Sequence, residues 1–128
     1  MTGEYAVDLE KVRDFLNQKR ENRSSRLKAR WEEAQRDFER IVEHIRLCYN
    51  PQRIYQWGSL LDFSRFSEIS DIDIALEGID GPKEYFAILG DAMKLTDFPL
   101  DIVEMEKLDQ DTAAGIRERG RVVYEKGK

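Results

Sequence analysis

The apolar residues Leu27, Trp31, Ala34, Phe38, Ile41 and Ile45 follow one another at intervals of 4, 3, 4, 3 and 4. That spacing holds them on one stripe of an α-helix for about five turns. The pattern stops at Asn50-Pro51, and from Arg53 the apolar period becomes two. Such a change of period places a long helix directly before a sheet, and the sheet is its natural packing surface. The same spacing suits a coiled coil. Five turns are too few to require a partner helix, so docking on the chain's own sheet is the simpler reading.

Upstream, Leu9, Val12, Phe15 and Leu16 share a stripe and predict an amphipathic helix over 8–21, with Asp8 as its N-cap. The polar run Glu21-Asn22-Arg23-Ser24-Ser25-Arg26 then breaks the pattern, either as a loop or as a solvated turn of one long helix. Downstream, Arg53-Ile54-Tyr55-Gln56-Trp57 reads as a strand, 60–67 as a loop or short helix, and 71–76 as a second strand. A turn over 78–82 leads to a helix over 85–95, with Phe86, Leu89 and Met93 on one side. A third strand over 99–105 precedes a helix over 109–119, with Asp109 or Asp111 near its N-cap and Gly120 as C-cap. Val122-Val123-Tyr124 predicts a last short strand. The fold class is α+β: a small mixed sheet packed on helices, with an N-terminal helical extension over 1–26 and one domain over 27–128.

Charged residues make up 37% of the 128, and the net charge is −5. An acidic chain lacks the clustered Lys and Arg that a nucleic-acid backbone requires, which disfavours that partner. Free nucleotide stays open, because bound cations can supply the positive charge. Residues 1–50 carry 11 basic and 10 acidic side chains, whereas 51–128 carry 10 basic and 16 acidic. One cysteine, Cys48, allows no internal disulfide and fits a reducing compartment. No apolar run approaches the ~20 residues of a membrane span. The first ten residues lack the basic and apolar regions of a secretory signal, so a cytoplasmic protein is expected.

In the acidic half, Ser70-Asp71-Ile72-Asp73-Ile74 alternates acid with apolar residue. On a strand, positions two apart share a face, so Asp71 and Asp73 project together while Ile72 and Ile74 enter the core. Two carboxylates held this close repel unless a cation sits between them, and hard divalent ions such as Mg²⁺ take such oxygens. A lone Asp-x-Asp in a chain with 26 acidic residues arises easily by chance. Asp101, in Leu100-Asp101-Ile102-Val103, alters that balance if its strand lies beside the first. Three converging carboxylates can hold two metal ions that clamp an in-line displacement. Gly58-Ser59 follows Trp57 at the end of a strand. Glycine there lets a backbone approach a ligand, and the hydroxyl of Ser59 adds a polar contact for phosphates. Each signal has a plainer alternative: a solvated strand end, an edge charge, an ordinary turn.

Taken together, Gly58-Ser59, a ten-residue loop, Ser70-Asp71-Ile72-Asp73-Ile74 and the later Asp101 resemble the DNA polymerase β-type nucleotidyltransferase superfamily. More narrowly they resemble its minimal nucleotidyltransferases, the MNT family. Ala75-Leu76-Glu77-Gly78 and the tail from Ile116 to Tyr124 also resemble that family, so the likeness spans about 27–125. The chain departs from it after Gly-Ser, where many members have Arg-Ala-Arg-Gly and this sequence has Leu60-Leu61-Asp62-Phe63. Arg65 is the nearest candidate to replace that charge.

The resemblance implies a 27–128 nucleotidyltransferase domain. It implies metal-binding, catalytic roles for Asp71, Asp73 and Asp101, with two Mg²⁺ ions and ATP or another nucleoside triphosphate as donor. It implies nucleotide contacts from Gly58, Ser59, Ser70 and Arg65, and help from Asp101 in deprotonating the acceptor. The reaction would move AMP to a hydroxyl and release pyrophosphate. Family members often pair with a HEPN-type toxin, which implies a partner protein as acceptor and an antitoxin role. Two other readings stand beside it: a weakly catalytic module that neutralises its partner by contact, and a transferase for a small hydroxylated molecule such as an aminoglycoside. A homo-oligomer could supply the missing acceptor site, and the exposed Phe15 would suit either a second copy or a partner.

Other conspicuous residues read as structural. His44, the only histidine, sits on the long helix as a surface or boundary residue. Arg40 and Arg36 are wrongly spaced from it for a HEPN ribonuclease motif. Cys48, Trp31 and Trp57 read as core, and Glu77 as a solvated strand end.

Overall fold

The computed structural model describes residues 7–127, so the first six residues of the expected N-terminal extension, and Lys128, lie outside the described residues. Helix α1 runs unbroken from Leu9 to Cys48. At 1.5 Å per residue its 40 residues reach about 60 Å. Asp8 caps it by accepting from the Lys11 N–H at 3.1 Å. The polar run over 21–26 is therefore a solvated part of one helix rather than a loop. Every residue from 7 to 26 is exposed, and burial begins at Leu27. From there Ala34, Phe38, Ile41 and Ile45 are buried, while Leu27 and Trp31 pack partly buried beside them.

Strand β1 covers Arg53–Trp57, β2 Ile72–Glu77, β3 Leu100–Glu104 and β4 Arg121–Glu125. The sheet order is β3-β2-β1-β4. β1 pairs antiparallel with both β2 and β4, and β2 pairs parallel with β3. A parallel neighbour needs a crossover, supplied here by helix α2, Gly81–Met93. Helix α3, Gln110–Arg119, precedes β4.

The two sheet faces have different covers. Ile54, Ile72, Ile74, Leu76 and Ile102 face α1 and α2 in the main core. Each buried aliphatic side chain of this kind contributes roughly 1.5–3 kcal/mol. Tyr55, Ala75 and Met105 form a smaller cluster with Ala113 and Ile116 of α3. The acidic strand residues alternate onto this second, thinner side.

Four sequence expectations change here. Helix α2 starts at Gly81, with Pro82 in its first turn, and it turns Tyr85, Ile88, Leu89 and Ala92 inward. Phe86 and Met93 are 66% and 62% exposed. Cys48 is exposed rather than in the core. Trp31 and Trp57 are only partly buried, each at the margin of its cluster. Glu77 is no solvated strand end. It accepts from Arg53 at 2.8 Å, Tyr55 at 3.2 Å and Arg117 at 3.3 Å, and these donors hold its carboxyl below the usual range despite burial. His44 is the boundary residue expected, bonded to Asp91 at 2.8 Å. No described helix is long and apolar enough to cross a membrane.

Candidate active site

The parallel register of β2 and β3 sets Asp73 directly across from Asp101. The antiparallel register of β1 and β2 sets Trp57 across from Asp73 on the other side. Trp57, Asp73 and Asp101 thus form one row across three strands, on the face that α3 covers farther along. Ile72 and Ile74 anchor β2 beneath the row, fully buried, and Ile102 does the same for β3.

Asp73 carries the electrostatic signature of the site. Burial, then the charge of Asp101, then that of Asp71, together with a hydrogen bond to Asp101, raise its carboxyl from 3.8 to about 7. Carboxylates crowded in this way invite a cation or a shared proton. Asp71 lies just before the first residue of β2 and acts on Asp73 through its charge. Among the described residues, no three His, Cys, Asp or Glu side chains are gathered into a ready-made metal cage.

Gly58 sits against this pair. Its φ of +82° is left-handed, and a Cβ there would lie 2.8 Å from Cγ of Asp73. Only glycine fits both the backbone and the space. After it, Ser59–Leu61 and Phe63–Arg65 form two short 3₁₀ turns. Leu60 points into the main core, and its carbonyl accepts from Trp31 Nε1 at 3.0 Å and Gln35 Nε2 at 2.8 Å. The long helix therefore holds the Gly58-Ser59 turn from behind. Gln35 also accepts from the buried Gln56 at 3.1 Å, extending that brace into β1.

The other expected nucleotide contacts fall at different distances from the pair. Ser59 is half-buried next to Gly58. Ser70 closes a tight turn before Asp71, with its Oγ accepting from the Ser67 N–H at 2.8 Å. Arg65 is exposed at the end of the second 3₁₀ turn and lines a cavity of about 670 Å³ that Gly58 also borders. That volume lies within the range of small-molecule pockets. The opposite wall is α3, including Gly115 and Arg119. Sequence reasoning did not select either residue, because a wall contributed from more than fifty positions away leaves no local pattern. Trp57 borders the same cavity, and its buried Nε1 has no acceptor among the described residues.

No protein-family model and no curated protein matches the chain. Solved structures do. One, a crystal structure of the MntA–HepT toxin–antitoxin, matches over 71% of this chain and 72% of its own, with TM-score 0.54 and 19% identity. A second, a toxin–antitoxin with AMP-PNP, matches over 70% and 74%, with TM-score 0.59 and 19% identity. A third is an MntA–HepT variant in which two aspartates two positions apart became glutamates. It matches over 70% and 74%, with TM-score 0.56 and 17% identity. At such identities the likeness is one of fold alone: the chain shares the α+β architecture of these structures.

Proposed function

We propose that this chain is a Mg²⁺-dependent nucleotidyltransferase that moves AMP from ATP to a hydroxyl of a partner protein of HEPN type, in the cytoplasm, as an antitoxin. The observation that carries the reading is the Asp73–Asp101 pair, in register across parallel strands and packed against a glycine that admits no side chain. The neighbour solved with AMP-PNP and the neighbours that are toxin–antitoxin complexes support the donor and the partner.

The donor set fits the metal: hard carboxylate oxygens, with the Asp73 carboxyl raised to about 7 by burial and by its neighbours' charge. Asp71, Asp73 and Asp101 would hold it, and it would supply charge neutralisation at the phosphates. Gly58 and Ser59 would orient the triphosphate, with Ser70 fixing the turn that presents Asp71. The acceptor oxygen attacks the α-phosphorus, the bond to the bridging oxygen of the β-phosphate breaks, and pyrophosphate leaves. The acceptor's proton passes toward the Asp101 carboxylate. Residues 1–26 would serve as a docking arm outside the 27–128 catalytic domain.

The test is intact mass. The protein, ATP, Mg²⁺ and the product of the neighbouring gene are mixed, and the partner is expected to gain AMP. Asp73→Asn should abolish the gain without unfolding the chain. Persistence of transfer in that variant would overturn the site. A second reading, neutralisation by contact alone, is favoured by Leu60-Leu61-Asp62-Phe63, where Leu60 is spent on the core. It predicts a tight complex and no mass gain with any nucleotide.

A further inference from the structure

Gly58 belongs to two surroundings at once. One side meets the Asp73 carboxylate, and the other borders the 670 Å³ cavity, which none of the three aspartates lines. A ligand crossing Gly58 therefore has one end at carboxylates and the other inside the cavity.

Two guanidiniums wait there. Arg65 comes from the second 3₁₀ turn and Arg119 from the last turn of α3. Neither guanidinium makes a hydrogen bond or ion pair among the described residues. The Arg65 guanidinium acts on the Asp62 carboxylate only through its charge, while the Arg65 backbone N–H donates to the Asp62 carbonyl at 2.9 Å. Asp62 itself is engaged locally, accepting from the Ser64 N–H at 3.0 Å and its Oγ at 2.7 Å. Asp111, the other acid of the wall, lies eight residues before Arg119 on α3, about 12 Å along the axis.

Arg119, exposed on the last turn of α3, folds back over Gly115 of its own helix. Gly115, buried in mid-helix, is among the least favourable residues for that position. A Cβ there would stand 2.5 Å from Nη2 of Arg119. The missing side chain makes the space into which the guanidinium folds. The first turn after Gly58, Ser59–Leu61, carries no charged side chain.

We propose that Arg119, seated over Gly115, joins Arg65 in binding the pyrophosphate end of a nucleoside triphosphate whose α-phosphate lies at Asp73 and Asp101. This rests on the nucleotidyltransferase reading and deepens it: positive charge absent after Gly-Ser is supplied from across the cavity by α3. Arginine suits the task through its fork of N–H donors.

Calorimetric titration of the full chain with Mg²⁺ and pyrophosphate, and separately with ATP and with adenosine, tests this. Arg119→Gln is expected to weaken pyrophosphate and ATP about tenfold or more. Adenosine should be unaffected, and Arg119→Lys, which keeps the charge but not the fork of donors, should recover only part of the loss. Gly115→Ala should weaken pyrophosphate in the same direction while raising helix stability, so a binding defect there cannot be assigned to unfolding. Pyrophosphate affinity within twofold of the parent in both Arg119→Gln and Gly115→Ala overturns the role of Arg119 and leaves the transferase reading standing. A parent protein that binds neither ATP nor pyrophosphate overturns both.

Discussion

Gly58 and Asp73 occupy space that a single added carbon would make incompatible: a Cβ on Gly58 would stand 2.8 Å from the Asp73 Cγ, on a backbone already at φ +82°. Both costs fall on Gly58→Ala. With ψ at −164° the backbone lies in a region essentially confined to glycine, which costs a residue with a side chain on the order of 1–3 kcal/mol. Urea unfolding should show a loss in that range. In an Asp73→Ala background the carboxyl is gone and only a close Cβ contact of 3.1 Å remains beside the backbone strain, so the loss should shrink. Equal losses in the two backgrounds would mean that the residues do not press on one another.

Asp73 also makes stability depend on pH in a predictable direction. The unfolded carboxyl gives up its proton near 3.8, while the folded one keeps it to about 7. Between those values the folded state binds more protons, so raising the pH costs stability. The contribution is whole below about pH 3.8 and lost once pH passes about 7. The melting temperature of the metal-free protein should fall between pH 5 and pH 8, on the order of a few degrees. Asp73→Asn should flatten that fall, and Mg²⁺ at pH 8 should restore the parent but not the variant. The lowered carboxyls of Glu77, Asp91 and Asp109 act only at more acidic pH, where their stabilisation is lost as pH drops. A parent and variant with parallel profiles would remove Asp73 as the cause.

Gln35 joins the long helix to the Gly-Ser turn and to the sheet at once. It donates to the Leu60 carbonyl at 2.8 Å and accepts from Gln56 at 3.1 Å. Gln35→Ala leaves a buried donor on Gln56 short of an acceptor, with Arg121 still bonded to the other end of that amide at 2.8 Å. The expected destabilisation is about 1–3 kcal/mol. Because the turn after Gly58 loses a brace, AMP transfer should fall more than stability explains. The check is transfer rate at a temperature where the variant is fully folded. Unchanged transfer there would make the brace purely structural.

Much of this was legible in the sequence, for a physical reason: periodicity reports which side of an element is buried. The stripe from Leu27 to Ile45 gave the packed part of α1, and the alternation in Arg53–Trp57 gave β1 to the residue. Asp73 and Asp101 meet because both lie on strands whose neighbouring isoleucines enter one core. The run over 21–26 hid its helicity because all six residues are exposed, so no apolar stripe marks it, although it contains no Gly or Pro to end a helix. Helix α2 is apolar on two sides that share Leu89, one with Tyr85, Ile88 and Ala92 and one with Phe86 and Met93, and only the position of the sheet chooses between them. Glu77 looked solvated because its cationic partners Arg53 and Arg117 lie 24 and 40 residues away. The α3 wall of the cavity was hidden in the same way.

The projecting end of α1 gives the last prediction. Residues 7–26 are exposed throughout, yet they include Leu9 at 75%, Phe15 at 65% and Leu16 at 45% exposure. Apolar side chains on a helix exposed along its length contribute little to this chain's own stability. A chain beginning at Ser24 retains a serine able to cap the shortened helix, and Leu27 and every buried residue of α1 remain. Its unfolding free energy should lie within about 1 kcal/mol of the parent. Affinity for the partner protein should drop at least tenfold if the arm docks it, a change of about 1.4 kcal/mol. Light scattering of the parent alone separates the other occupant: a dimer that becomes a monomer on truncation, with partner affinity unchanged, would assign the arm to self-association. Unchanged mass and unchanged affinity would leave the arm outside both interfaces, and a large loss of stability would mean that it packs where the structure shows it exposed.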